Sequence, residues 1–398
     1  MGSSLNRQIG SIFLIIGTEI GAGVLALPII ITNSGLLVGS IVMILSWAVM
    51  LFTALLIVEA NSAMEGDVSF SSMAKKFLGK WGKLFMAIVF WCTLSSIAMA
   101  YISAAGSTFT EIIQSPPLIT SIVFVVVFGI FVIIGTKAVD YVNRLLLSLK
   151  LLAFILAILF LLGAMKVINL SVSGNMHLFV SSIPAVFVSF VLHNIIPSIR
   201  TYLDYDKKAL RRVVIIGSIV PLILYILWVF AVIGSIPPHG AHSFDLLISK
   251  GKQANVGDLL TLVALNISNK TVIMSINFVA AISVTTSFLG CSISLYHFVQ
   301  DTFGHEKRNL LTRTILPILL TFVIPLLIVI LFPNIFIAAL GYAGEGATIL
   351  FVLIPIIIVW KLIKQGNEFS WKFLSNKFLL SLAFLLGLGI IAIEILFR

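Results

Sequence analysis

The chain has 398 residues, of which 60% are hydrophobic and 10% charged, and a formal net charge of +10; charged residues make up about 25% of an ordinary soluble domain. At a mean hydropathy of +1.18 such a sequence cannot cover its apolar side chains with its own polar surface. Its solvent is therefore largely lipid, which excludes a soluble enzyme, a nucleic-acid binder and a disordered chain.

A membrane-crossing helix needs about 20 mostly apolar residues. Eleven runs of that kind follow one another at 9–32, 36–59, 84–113, 118–135, 144–166, 183–201, 213–235, 270–300, 312–332, 335–363 and 378–397. The first continues past the length of a signal-peptide core with no A-x-A site, so a retained span is expected. The longest connections are 61–83 and 236–269, and the second contains Val256–Asn266, apolar but too short to cross, which predicts a re-entrant or surface helix. With the N-terminus placed in the cytoplasm, all but five of the 25 Lys and Arg residues fall at the inner face. The five outside are Lys166, Lys250, Lys252, Lys270 and Arg398. This asymmetry explains the net charge and predicts an N-in, C-out orientation for eleven spans. Cys92 and Cys291 sit in apolar runs with no metal-ligand spacing, and neither a metal nor a cofactor is expected.

Two spans carry helix-breaking clusters. In span 1, Gly17-Thr18-Glu19-Ile20-Gly21-Ala22-Gly23 is followed by Pro28. Each glycine weakens a helix by about 1 kcal/mol relative to Ala, and Pro28 leaves the carbonyl of Val24 without a donor. Two readings fit: a close-packing stripe, in which Gly17 and Gly21 form a GxxxG pair, or an unwound segment with exposed backbone amides. In span 6, Ser189 to Pro197 places His193 and Asn194 side by side at mid-membrane, and Pro197 deprives the His193 carbonyl of its donor. A kinked helix with a packed His–Asn pair is the alternative to a break there.

The clusters are five spans apart. A five-span repeat is inverted, because an odd number of crossings ends on the opposite face. Interrupted helices at corresponding positions of two halves mark a transporter binding site. Half-helix N-termini offer donors to a carboxylate, while carbonyls and hydroxyls hold an ammonium or a coupling ion. The expected organisation is one transmembrane domain over 1–398: a first five-helix repeat (9–166), an inverted second repeat (183–363) and an extra helix (378–397).

The segments GSIFLIIGTEIGAGVLALP (10–28), AKKFLGKWG (74–82), AYISAAG (100–106), SFVLHNIIPSIRTYL (189–203), KKALRRVVIIGSIVPLILYILW (207–228), TTSFLG (285–290) and FPNIFIAALGYAG (332–344) resemble the hydroxy/aromatic amino acid permease family, and most closely its tyrosine- and tryptophan-specific bacterial members. The resemblance runs nearly end to end. It implies an all-α, eleven-helix fold of the amino acid–polyamine–cation type with spans 1 and 6 broken. It also implies proton symport of an aromatic amino acid, tyrosine before tryptophan, across the bacterial inner membrane. By the same resemblance Gly17, Thr18, Ile20, Gly21, Ala22 and Gly23 form the substrate cradle in span 1. Ser189, Phe190, His193 and Asn194 are its span-6 counterpart, and Tyr101 and Ser103 flank the pocket. Thr285, Thr286 and Ser287 match a span-8 segment whose hydroxyls serve a cation in sodium-coupled relatives of the fold; such hydroxyls also cap helix carbonyls.

Glu19 and Glu345 depart from the family pattern, at positions expected to be uncharged. A carboxyl within a membrane is a functional candidate by default, so either is a candidate for the coupling proton, and His193 is a third. Glu59, Glu111 and Lys150 are expected near span ends, where they can snorkel. The charges from Asp204 to Arg212 read as a solvated run that sets topology. A serine/threonine permease of the same family and a sodium-coupled symporter are the alternatives within transport. An intramembrane enzyme lacks an orienting acid near the one Ser–His pair, Ser189 with His193. A channel lacks a filter-like loop.

Overall fold

The computed structural model describes residues 2–21, 23–64, 70–172, 174–303 and 314–396. Ala22, Lys307, Arg308, Arg313 and Arg398 lie outside the described residues. Within them the chain is helical and contains no strand.

The first apolar run folds as two helices, α1 (Gly2–Glu19) and α2 (Gly23–Ile31), bent by 53° at the glycine cluster. The unwound reading of that cluster therefore holds. α3 (Leu36–Ser62), α4 (Phe70–Ile113), α5 (Pro117–Ile134) and α6 (Thr136–Ala164) follow. After the short α7 (Met176–Ser181), the sixth run is interrupted as well: α8 (Ile183–Val188) and α9 (Ile196–Tyr202) flank a turn and a single 3₁₀ turn at His193–Ile195. α10 (Lys207–Ser235) begins at Asp206, whose carboxylate accepts from the amides of Lys208 and Ala209. The long connection holds α11 (Asp245–Lys250) and α12 (Val256–Asn266), the helix expected there, closed at its start by a reciprocal Asn255–Asp258 capping box.

α13 (Lys270–Phe303) precedes two helices of similar design. α14 (Leu316–Ile318) joins α15 (Ile324–Leu331), and α16 (Phe336–Thr348) joins α17 (Ile354–Lys364), each through one π turn, before α18 (Lys377–Leu396). Both π turns lie just ahead of a proline, Pro325 and Pro355. The widened turn makes room for a ring that would otherwise meet the carbonyl four residues earlier.

Among the described residues seven helices are long and apolar enough to cross a membrane, or eight if the bent pair is one span. The expected runs 144–166, 312–332 and 378–397 coincide with shorter apolar helices, Ser148–Ala164, Leu316–Leu331 and Lys377–Ile393. Outward faces are apolar: Val123, Val126 and Ile130 on α5 and Phe378 and Leu385 on α18 are exposed, as lipid contact requires.

The helices pack in two groups. α10 lies against α1, α2 and α3, and α8 against α2 and α3. α13 lies against α4, α5 and α6, and α15 and α16 against α4. The two groups meet where α8 packs on α16, α10 on α6 and α3 on α17, and both interrupted spans lie at that boundary.

Candidate functional site

At the first break, α1 stops at Glu19 and α2 starts at Gly23, so carbonyls at the end of α1 lose their helical donors, and Pro28 removes the one for Val24 within α2. Those of Gly17, Glu19, Ile20 and Val24 are met by side chains from distant helices, and that of Glu19 also by the Gly21 amide at 2.7 Å. Pro28 cannot donate to Val24, and the indole Nε1 of Trp228 on α10 does so instead at 3.0 Å. The hydroxyl of Tyr225, one turn earlier on α10, donates to the Glu19 carbonyl at 2.5 Å. Lys150 on α6 donates its ammonium to the carbonyls of Gly17 and Ile20 and to the hydroxyl of Thr286 on α13. An ammonium has three N–H donors, and here there are three acceptors.

Lys150 corrects the sequence expectation. It does not snorkel: it is 1% exposed. The reason is that α6 begins at Thr136 rather than near 144, which carries Lys150 four turns into the helix. Glu59 also differs from expectation. It is buried and accepts from Lys207 at 2.6 Å, with Arg211 Nε 3.7 Å away. Part of the charge run after span 6 is thus an ion-pair partner rather than a solvated strip, and Asp204 pairs with Arg7.

The second break satisfies itself. The amides of Phe190 and Val191 reach back three residues to Phe187 and Val188 at 3.1 and 3.3 Å, and Ile195 to Leu192 at 3.4 Å. The Ile196 amide takes the His193 carbonyl that Pro197 cannot serve. The imidazole of His193 is completely buried. Its Nε2 shares a hydrogen bond of 2.9 Å with Thr53 on α3, and its ring stacks on Phe351 at 5.0 Å.

The two breaks touch. A Cβ placed on Gly23 would lie 2.7 Å from Ser189 Oγ and 3.3 Å from its Cα, so only glycine allows this approach. Tyr225 spans the seam, with its hydroxyl also 3.3 Å from the Ser189 carbonyl. Beside this seam lies a cavity of about 380 Å³, within the range of small-molecule sites.

Gly17, Thr18, Glu19, Gly21 and Gly23 line the cavity from the first break, and Ser189 and Asn194 from the second. Tyr101 on α4 and Thr286 and Ser287 on α13 complete its polar wall. The hydroxyls of Ser287 and Tyr101 crowd Gly21, at 2.9 and 3.2 Å from where its Cβ would be. Both carboxylate oxygens of Glu19 are buried without a hydrogen-bond partner among the described residues.

Other expected site residues lie elsewhere. Phe190 and His193 point away from the cavity, Phe190 against the Tyr225 ring at 5.4 Å. Ile20 is buried and contributes its carbonyl to Lys150. Ser103 donates to the Pro333 carbonyl at 2.6 Å and lines a separate cavity of about 270 Å³. Thr285 bonds back to the Ala281 carbonyl at 2.7 Å. Glu345 is half-buried on α16 and is not part of the cavity lining. The residues that sequence reasoning missed are Lys150, Tyr225 and Trp228. Their signals were a lysine inside an apolar run and two hydrogen-bonding aromatics at i, i+3 on one helix face.

Residues 5–394 match the tryptophan/tyrosine permease family. The chain is 32% identical to tyrosine-specific transport system 1 of Haemophilus influenzae over 400 residues, 99% of this chain and 98% of that protein. It is 32% identical to glutamine transporter 2 of Aliivibrio fischeri over 371 residues, 91% of each chain. It is 30% identical to the tryptophan-specific transport protein of Haemophilus influenzae over 399 residues, 96% of this chain and 93% of that protein. The chain belongs to the tryptophan/tyrosine permease family, whose members are membrane transport proteins and not enzymes.

Proposed function

We propose that this family member imports an aromatic amino acid, tyrosine in preference to tryptophan, across the bacterial inner membrane by proton symport. The observation that carries this reading is the contact of the two interrupted helices, Gly23 against Ser189, beside a cavity with polar walls. In this reading the eleven apolar runs are eleven spans, ten of them a 5+5 inverted repeat, with the N-terminus cytoplasmic and the C-terminus outside.

Lys150 supports proton rather than sodium coupling. Its ammonium already fills the place, between two carbonyls and a Thr hydroxyl, that a small cation would take. A neutral amine has two N–H donors and would release one of the three contacts. Protonation of Lys150 is thereby linked to the closure of the first break. We assign the coupling proton to this group, ahead of Glu19, Glu345 and His193.

The cavity's exposed lining residues are Leu14, on α1 before the first break, Asn194 in the second break and Ser294 near the C-terminal end of α13. All nine residues of α2, on the other side of the first break, are buried. With the N-terminus in the cytoplasm, the exposure of Leu14 and the burial of α2 support an inward-open reading. Rocking of α1, α2, α3, α8, α9 and α10 against the second packing group exchanges access between the two faces.

The test is uptake into proteoliposomes of labelled tyrosine, tryptophan, glutamine and serine under an imposed proton or sodium gradient. Tyrosine uptake driven by protons and competed by tryptophan is expected. Preferential uptake of glutamine or serine overturns the aromatic assignment, and glutamine has specific support from the relative that bears its name. Uptake driven by sodium alone overturns the role of Lys150.

A further inference from the structure

The first break uses its carbonyls internally. Those of Gly17 and Ile20 accept from Lys150, that of Glu19 from Tyr225 and that of Val24 from Trp228. An amino acid in this cavity has two charged groups on one Cα, with the nitrogen about 2.5 Å from the carboxyl carbon. Its carboxylate is drawn to the N-terminal end of the nine-residue α2, where backbone amides and the helix dipole favour negative charge. Its ammonium must then find an acceptor in the same corner, where each of these four carbonyls already accepts at least one hydrogen bond and has less to offer a second donor.

One strong acceptor stands there unused. The Glu19 side chain belongs to the cavity lining, four residues before α2 begins, and is 4% exposed. Neither of its oxygens has a hydrogen-bond partner, and it forms no ion pair, among the described residues. An unpartnered carboxyl in a membrane interior is costly and is retained where a group arrives to meet it. Its main-chain carbonyl is held by Tyr225, so the residue is fixed at the end of α1 while its side chain remains available.

We propose that Glu19 is the acceptor for the α-ammonium group of the substrate. The cavity then recognises the ammonium through a side-chain carboxylate, and the substrate class narrows to amino acids with a free, protonated α-amino group. N-acylated and deaminated analogues are rejected. This rests on the amino acid reading of the cavity given above, and it gives Glu19 a recognition role distinct from the proton chemistry assigned to Lys150.

The test uses full-length protein in liposomes at equal pH on both sides, so that only exchange of labelled tyrosine is read. Competitors differ by one group: tyrosine, 3-(4-hydroxyphenyl)propionate, which lacks the amine, and tyramine, which lacks the carboxylate. The expected result is that Glu19→Gln lowers the preference for tyrosine over the deaminated acid by about tenfold or more, the size of a charge-assisted hydrogen bond. The preference for tyrosine over tyramine should stay within about twofold, since both carry the amine and the α2 end is untouched. Glu19→Asp, which keeps the charge on a shorter arm, should retain part of the discrimination. Equal weakening of all three competitors by Glu19→Gln, with Glu19→Asp behaving identically, means a structural role and overturns the proposal. So does an unchanged ratio. Wild-type vesicles that exchange no tyrosine, tryptophan, glutamine or serine overturn the amino acid reading itself, and this assignment with it.

Discussion

The two interruptions meet the same difficulty, backbone polar groups freed inside a membrane, by opposite routes. The first takes its donors from outside: Lys150 on α6, and Tyr225 and Trp228 on α10, each more than 120 residues away in sequence. The second draws them from its own chain, through 3₁₀-type bonds between residues three apart. The first break is thus a joint whose shape depends mainly on where α6 and α10 stand, its own backbone adding only the Gly21–Glu19 and Val24–Gly21 bonds. The second is mainly a local turn, tied to its neighbours by Tyr225 at the Ser189 carbonyl and Thr53 at His193. In a transporter that rocks one group of helices against another, the externally served joint is the one that can sense the motion. Lys150 reaches it from the second packing group, whereas Tyr225 and Trp228 travel with the first.

Substitutions can sharpen or break that contrast. The largest effect is expected from Lys150→Met, which keeps most of the volume but strands the Gly17 and Ile20 carbonyls, at about 1–3 kcal/mol each. Gradient-driven uptake in proteoliposomes should fall by about 100-fold or more. Uptake within about threefold of wild type would remove Lys150 from the cycle.

Gly23→Ala comes next. The added methyl meets Ser189 at the seam, and overpacking of this kind costs about 1–3 kcal/mol. Transport should drop by about tenfold and recover in part in the Gly23→Ala, Ser189→Ala pair, where the nearest atom is gone. No recovery would mean that the backbone, rather than the hydroxyl, sets the approach.

Tyr225→Phe removes the hydroxyl shared by the Glu19 and Ser189 carbonyls while keeping the ring against Phe190. A loss of about 1–2 kcal/mol in detergent-solubilised thermal stability is expected, together with a fewfold loss of uptake. The smallest effect should come from Thr53→Val, which removes the partner of His193 at the self-contained break. It should cost about 0.5–1.5 kcal/mol and leave uptake within about threefold. If Thr53→Val were as damaging as Tyr225→Phe, the two breaks would be equally dependent on their surroundings and the contrast would fail.

Much of the fold was legible because lipid leaves few alternatives. Apolar runs must be helices, and the two breaks are visible as the glycines up to Gly23 and as Pro197, although α2 runs on through Pro28. Even the short α12 was marked by its apolar run between polar ends. Part of the cavity was legible for the same reason, since Gly17, Thr18, Gly21, Gly23, Ser189 and Asn194 sit at or beside the interruptions. His193 was not placed correctly by position alone: it sits in the break, but its ring turns to Thr53 and Phe351. Lys150 was misjudged because it was assigned to a span end from the limits of an apolar run, whereas α6 begins at Thr136; Glu59 does lie in the last turn of α3, but it is buried against Lys207 and Arg211 instead of reaching solvent.

By itself, then, the sequence determined that lipid is the solvent, where the helices lie, and which two of them must break, because a missing N–H or a run of glycines is a local covalent fact. Tertiary structure alone decided who answers the freed carbonyls and which polar groups look inward. Lys150 finds Ile20 across 130 residues and Tyr225 finds Glu19 across 206. Such pairings depend on how α6 and α10 pack beside α1, and packing between helices in lipid is a matter of shape and hydrogen bonds that no stretch of one helix records.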